Sequence, residues 1–131
     1  MTQEQKDLLL QDLCARLPYG VKVKFEYVIT SPAKIIGINK FFIECEDVTA
    51  NIEDVKPYLF PLSSMTEEQI NELAKLDVSY GDYALHDSVL GLGISVDEAY
   101  IFFEFCYKHH IDFLGLIDLG LAIDATGLNI Y

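Results

Sequence analysis

The chain has 131 residues, of which 51% are hydrophobic and 12% aromatic, and its formal net charge is −12. This length fits one compact domain, and the apolar fraction is large enough to build a core and too large for a disordered chain. No run is long and apolar enough to span a bilayer, and the polar start over 1–7 lacks the pattern of a signal peptide, so we expect a cytoplasmic protein.

The charge is distributed unevenly along the chain. Residues 1–65 carry nine acidic and seven basic side chains, whereas residues 66–131 carry twelve acidic side chains and only two basic ones, Lys75 and Lys108. The second half is also rich in Phe, Tyr, Ile and Leu, so we expect it to fold. A folded body with one strongly negative region repels nucleic acid and attracts basic surfaces.

The first predicted element is a helix over residues 3–16. Thr2 and Gln5 have the spacing of a capping box in which Thr2 is the N-cap. Pro18 and Gly20 are expected to end the helix. Its predicted apolar stripe contains Leu9, Leu10, Leu13, Cys14 and Leu17.

Residues 20–62 are predicted to form a small antiparallel sheet. Apolar and polar residues alternate over 21–29, which is the period of a half-buried strand. A strand pair is predicted over 35–45 and another short strand over 52–58. Because Pro57 has no backbone N–H to donate, we expect this last strand to end at a sheet edge.

The second half of the chain is predicted to be mainly helical. A second capping box, at 66–69, begins one helix, and a third, at 95–98, begins the most apolar helix, which ends near His110. The stretch 77–94 contains Gly and Asp and is predicted to be irregular. Residues 111–131 are expected to form short segments packed on the core.

These patterns predict an α+β fold: a small antiparallel sheet, which could curl into an SH3-like barrel, an N-terminal helix and a helical C-terminal half. We expect a single domain over 1–131, sheet-rich over 20–62 and helical and acidic over 63–131.

The three cysteines are an odd number and lie far apart in apolar surroundings. This pattern predicts buried free thiols in a reducing compartment rather than a disulfide framework. The residues concerned are Cys14, Cys45 and Cys106.

Three segments resemble a group of small uncharacterised proteins from Bacteroides-type gut bacteria and their phages or mobile elements. They are LCARLPYGV at 13–21, KPYLFPLSSMTEEQ at 56–69 and HHIDFLGLI at 109–117. The group usually has arginine where this chain has Phe60 and Leu114, so any function that used those arginines is not expected here. The resemblance implies a cytoplasmic protein linked to a phage or mobile element, and it implies no biochemical activity.

Metal binding has weak candidates at the end of the apolar helix. Cys106 and His109 lie one helical turn apart, and with His110, Asp112 or His86 they could form a zinc site. No second Cys/His pair has zinc-finger spacing, and cationic residues are expected at a helix C-terminus in any case. A thiol–imidazole catalytic pair would also need an oxyanion motif. We therefore assign no catalytic residue, metal or cofactor.

A second class of function, an enzyme, is suggested by acidic side chains that are scattered along the second half of the chain. The alternative to a binding protein is a small metal-dependent hydrolase that uses Asp, His and Cys groups of residues 82–124. No EF-hand spacing is present, and aspartates in turns are usually solvated. As a separate hypothesis, six aspartates could pair as general acid and base or bind a divalent cation: Asp77, Asp82, Asp87, Asp112, Asp118 and Asp124.

The lysines of the first half give the predicted sheet a mildly positive face. Residues 1–65 contain more acidic than basic side chains, so nucleic-acid binding is not expected. These lysines are Lys22, Lys24, Lys34 and Lys40.

The favoured function is a non-enzymatic, acidic protein-binding module, in its sharper form an inhibitor that mimics the charge of nucleic acid. The expected partner is a protein with a basic surface, neither nucleic acid nor membrane, and a homodimer stays open.

The proline-flanked stretch 57–62 is either an exposed partner-binding edge or a connection that closes the core. The candidate partner-binding residues are Tyr58, Phe60, Glu67, Glu68, Glu72, Asp77, Asp82 and Asp87.

Overall fold

The computed structural model describes residues 1–26, 32–39, 42–46, 48–75 and 96–131. These residues form an α+β fold of helices and one mostly antiparallel sheet. The helices are α1 (Gln3–Arg16), α2 (Glu67–Lys75) and α3 (Val96–Lys108). The strands are β1 (Lys22–Phe25), β2 (Ala33–Ile38), β3 (Ile43–Cys45), β4 (Thr49–Ala50), β5 (Val55–Pro61), β6 (Ile111–Asp112) and β7 (Ile123–Asp124).

The N-terminal helix has the predicted bounds and the predicted cap. The Thr2 hydroxyl accepts the Gln5 N–H, and the Gln5 side chain accepts the Thr2 N–H, so both halves of the capping box are formed. Gly20 follows the helix with a φ of 73°, a left-handed conformation that suits glycine. The residues that α1 buries are Leu9, Asp12, Leu13 and Arg16.

The prediction that all three cysteines are buried is wrong for one of them. Cys45 and Cys106 are buried, but Cys14 is exposed, and all three are free thiols. The reason lies in the helix register: Leu9, Leu13 and Arg16 face the core, and Cys14 falls just outside that stripe.

The sheet runs β4-β3-β2-β1-β5-β6, with β7 also paired to β5. Pairing is antiparallel from β4 to β5, whereas β6 and β7 run parallel to β5. Val23 and Phe25 of β1 are buried and Lys24 is exposed, as the predicted alternation requires. Over the described residues the strand path is open from β4 to β6, so it does not close into the SH3-like barrel considered above.

One expectation about the sheet requires correction. The strand containing Pro57 is interior rather than an edge, because β1 pairs with one side of β5 and β6 and β7 pair with the other. Pro57 is tolerated there because the parallel pairing begins one residue later, at Tyr58. The short tail segments expected over 111–131 include two Ile-Asp dipeptides, which form the strands β6 and β7.

Two clusters of buried apolar side chains lie on different parts of the fold. The first joins α1 to the sheet and includes Leu9, Leu13, Val23, Ile35 and Leu59. The second joins α2 to α3 and β6 and includes Met65, Leu73, Phe102, Phe105 and Ile111. Burial of this apolar surface is the main force that fixes α2 and α3 in place.

The helices of the second half begin where the capping boxes predict. Thr66 and Gln69 exchange both capping hydrogen bonds ahead of α2. Helix α3 begins at Val96, while Ser95 and the predicted irregular stretch 77–94 lie outside the described residues. Within the described part, no helix is long and apolar enough to cross a membrane.

The register of the sheet places like charges opposite each other. Lys22 lies opposite Lys34, and Lys24 lies opposite Lys56. Directly opposed like charges destabilise an antiparallel pair, and opposite charges stabilise it. Four lysines therefore share the face of the sheet opposite the buried Val23 and Phe25.

We expect Lys24→Glu to raise the free energy of unfolding by about 0.2–1 kcal/mol, because it converts the Lys24–Lys56 repulsion into a cross-strand ion pair. Urea denaturation at neutral pH measures the change. The control is Lys75→Glu in the last turn of α2, where a negative charge opposes the helix dipole and should slightly lower stability. A loss of stability in Lys24→Glu would contradict the expected repulsion.

Candidate functional site

The candidate partner-binding acids of α2 lie on its solvent side. Glu67 and Glu68 are exposed in the first turn, while Leu73 on the opposite face is fully buried in the second apolar cluster. Neither Glu67 nor Glu68 forms an ion pair or side-chain hydrogen bond with a residue in the described part of the chain. We define Glu67, Glu68 and Glu72 as the acidic α2 surface.

Glu72 differs from its two neighbours because its carboxylate contacts the end of α3. Its Oε2 lies 3.3 Å from His109 Nε2, and its Oε1 lies 3.7 Å from Lys108 Nζ. The ring of His109 also packs against Phe105, with 4.5 Å between ring centroids. The structure thus brings together one predicted partner-binding acid and one predicted metal candidate, at a contact between α2 and the C-terminal end of α3.

The predicted aromatic contacts lie away from this surface, in the interior strand β5. Tyr58 is buried, and its carbonyl accepts a hydrogen bond of 2.8 Å from the Tyr131 hydroxyl. Phe60 is half-buried, with its ring 6.0 Å from that of Tyr131. Three further predicted acids, Asp77, Asp82 and Asp87, lie outside the described residues.

The side chains of the three metal candidates, Cys106, His109 and His110, lie in three different environments. Cys106 is fully buried, and this burial raises the pKa of its thiol to about 12, which disfavours the thiolate needed for metal binding or nucleophilic attack. His109 contacts Glu72, whereas His110 stacks on Tyr131 with 3.7 Å between ring centroids. Among the side chains that the structure describes, no group of three or more His, Cys, Asp or Glu is arranged to hold a metal ion.

Two of the three described aspartates of the alternative hydrolase, Asp112 and Asp124, accept hydrogen bonds from backbone N–H groups, and Asp118 is exposed. The Asp112 carboxylate accepts the N–H groups of Leu116 and Ile117, each at 2.9 Å. Asp124 accepts the N–H of Thr126 at 2.9 Å, and hydrogen bonding with Thr126 lowers the pKa of Asp124. Both carboxylates thus organise turns of the C-terminal segment.

A buried polar network was missed by the sequence analysis. Arg16 is fully buried, and its Nε donates to Asp12 Oδ2 at 2.8 Å. Its two terminal nitrogens donate to the carbonyls of Cys106 and Ile111, at 3.2 Å and 2.6 Å. The signal was present in the sequence, because Asp12 and Arg16 lie three and seven residues after Leu9, on one helix face.

A second missed contact holds the C-terminal segment against the sheet. The Tyr131 hydroxyl accepts the Lys22 N–H at 2.9 Å, and Lys22 Nζ donates to the Ile130 carbonyl at 2.8 Å. His110 has a φ of 59° and stacks on the Tyr131 ring at an interplanar angle of 9°. Burial, with the nearby positive charges of Arg16, His109 and Lys22, lowers the pKa of His110 to about 4.

Comparisons of the chain with protein-family models, with curated proteins and with solved structures find no match in any of the three.

Proposed function

We propose that this chain is a non-enzymatic protein-binding module that docks its acidic α2 surface on a basic surface of another protein. One observation carries the proposal: Glu67 and Glu68 are exposed, without ion pairs among the described residues, on a helix whose other face is anchored in an apolar cluster. Negative charge presented on a fixed helix can meet a basic partner without reorganisation of the fold.

The overall charge supports the same choice of partner. A net charge of −12, with −10 of it after residue 65, favours basic proteins and opposes nucleic acid and anionic membranes at long range. The sharper form of the proposal is an inhibitor that occupies the nucleic-acid site of its target with carboxylates. The resemblance to proteins of phages and mobile elements supports that form.

The proposed location is the cytoplasm. All three cysteines are free thiols, which persist in a reducing compartment.

The test is a pull-down with the tagged full-length chain from a lysate of a Bacteroides-type bacterium, with nuclease added. We expect one abundant basic protein to be retained at about 0.05 M salt and lost at about 0.5 M salt, because salt screens contacts between exposed charges. In the variant Glu67→Lys/Glu68→Lys, we expect retention at low salt to fall at least about tenfold, since two attractive contacts become repulsive.

The matched control is Glu4→Lys/Asp7→Lys, which makes the same change in net charge on exposed positions of α1. We expect this control to retain most of the partner. Docking through the acidic α2 surface is contradicted if the retained amount of partner is the same at low and high salt. It is also contradicted if retention falls equally in both variants. Recovery of only a second copy of the chain would identify a homodimer instead.

A further inference from the structure

The lysines of the sheet form a compact basic surface on an otherwise acidic protein. Lys22 and Lys24 lie two residues apart on β1, and Lys34 and Lys56 lie directly opposite them on β2 and β5. Side chains two apart on a strand, and those directly opposite across strands, share one face of a sheet. We define these four residues as the lysine face.

One of the four ammonium groups is already engaged by the fold. Lys22 Nζ donates to the Ile130 carbonyl and lies 5.9 Å from the centroid of the Tyr131 ring. By contrast, Lys24, Lys34 and Lys56 form no ion pair or hydrogen bond with another residue that the structure describes. Among the described residues, no carboxylate therefore forms a direct ion pair with Lys24 or Lys56, although Glu26 lies nearby.

A concavity opens at this lysine pair. It has a volume of about 340 Å³ and is lined by Lys24, Glu26, Lys56 and Ile123. That volume is at the lower end of the range for small-molecule sites, which combine apolar lining with a few charged groups. Ile123 belongs to β7 and supplies an apolar wall, while the two lysines supply the charge.

We propose that this concavity binds a small organic phosphate monoester. Cross-strand partners have Cβ atoms roughly 5 Å apart, so one phosphate between Lys24 and Lys56 can contact both ammonium groups. A phosphate monoester carries a charge of about −1.5 to −2 at neutral pH, which matches two lysines better than one carboxylate does. The organic part of the ligand would pack on Ile123.

The remaining charges select against longer polyanions. Glu26 lies in the same concavity and repels a second negative group, and the net charge of −12 opposes a polyanion at long range. A single phosphate on a small body carries less charge than a polyanion and therefore meets less of both repulsions. This site is on the sheet rather than on the acidic α2 surface, so the inference does not depend on the proposed protein-binding function.

The test is a titration of the isotope-labelled full-length chain with phenyl phosphate, followed by NMR at low ionic strength. We expect saturable shifts of the Lys24, Lys56 and Ile123 amide signals, with a dissociation constant on the order of 1 mM or tighter. Benzoate, which has the same ring and a single negative charge, is expected to bind at least about tenfold more weakly.

The variant Lys24→Gln/Lys56→Gln is expected to lose these shifts, and Lys75→Gln on α2 is the matched control that keeps them. The double variant should remain folded because it removes a repulsion, and its urea midpoint verifies this. The proposed phosphate site is overturned if phenyl phosphate causes no saturable shifts in the wild type, or if the double variant binds it equally well. Tighter binding of a short single-stranded oligonucleotide than of phenyl phosphate overturns the choice of a small ligand.

Discussion

Replacing Arg16 by methionine is expected to lower the free energy of unfolding by about 3–5 kcal/mol. The guanidinium is fully buried and binds the Asp12 carboxylate together with the carbonyls of Cys106 and Ile111. Methionine fills much of the volume but leaves a buried carboxylate without a counter-charge and two carbonyls without donors. These bonds connect α1 to α3 and β6, so their loss loosens the two parts of the fold from each other.

Urea denaturation of the Arg16→Met variant at neutral pH measures this effect. Asp12→Asn should cost less, because the amide oxygen still accepts from Arg16 Nε and because burial already raises the pKa of Asp12. The control is Lys6→Met, which breaks the exposed ion pair between Lys6 and Glu53 and should cost less than about 1 kcal/mol. The assigned role of Arg16 is wrong if its replacement is as mild as that of Lys6.

Lowering the pH from 6.5 to 4 is expected to remove about 1–2 kcal/mol of stability through His110, whose ring is only half-buried and therefore partly screened by solvent. Burial, together with the positive charges of Arg16, His109 and Lys22, lowers the pKa of the folded His110 to about 4 from its ordinary 6.5. Between these values the unfolded chain binds a proton that the folded chain excludes. The stabilisation is therefore complete above pH 6.5 and is lost as the pH falls toward 4.

The variant His110→Asn isolates this contribution, since asparagine tolerates the positive φ of 59° at this position. Unfolding free energies of both proteins are compared at pH 7 and pH 4.5. We expect the wild type to lose more stability than the variant over this interval. The comparison is needed because the raised pKa of Asp12 acts in the opposite sense, stabilising the fold at low pH. Equal losses in the two proteins would show that burial and the nearby positive charges do not keep His110 neutral.

The features that could be predicted from sequence are those set by neighbouring residues. The capping boxes at Thr2 and Thr66 depend on residues three positions apart, and both form as predicted. The alternation along β1 likewise identifies its buried Val23 and Phe25. The α+β class follows from these local patterns.

The features that could not be predicted depend on residues far apart in the chain. Nothing within residues 123–124 shows that this dipeptide pairs with Tyr58 and Leu59, and without that pairing Pro57 predicts an edge strand. Helical spacing places Asp12 and Arg16 on the buried face of α1, but the carbonyls of Cys106 and Ile111 that satisfy the buried arginine lie far away in the chain and could not be predicted.

The candidate site was predictable only in part. The exposed acids Glu67 and Glu68 follow from their position in the first turn of an amphipathic helix. The contact of Glu72 with His109 requires the packing of α2 on α3, which no local pattern encodes. The lysine face needs the strand register, since a shift of one residue would move the lysines to the other face.

The most direct measurement of the proposed docking is the dissociation constant of the captured basic partner as a function of salt, for the wild type and for Glu67→Lys/Glu68→Lys. We predict a constant that rises steeply between about 0.05 M and about 0.5 M salt for the wild type. The variant should bind at least about tenfold more weakly at low salt, with a shallower salt dependence. Equal affinities and equal salt dependences in the two proteins would contradict docking through the acidic α2 surface.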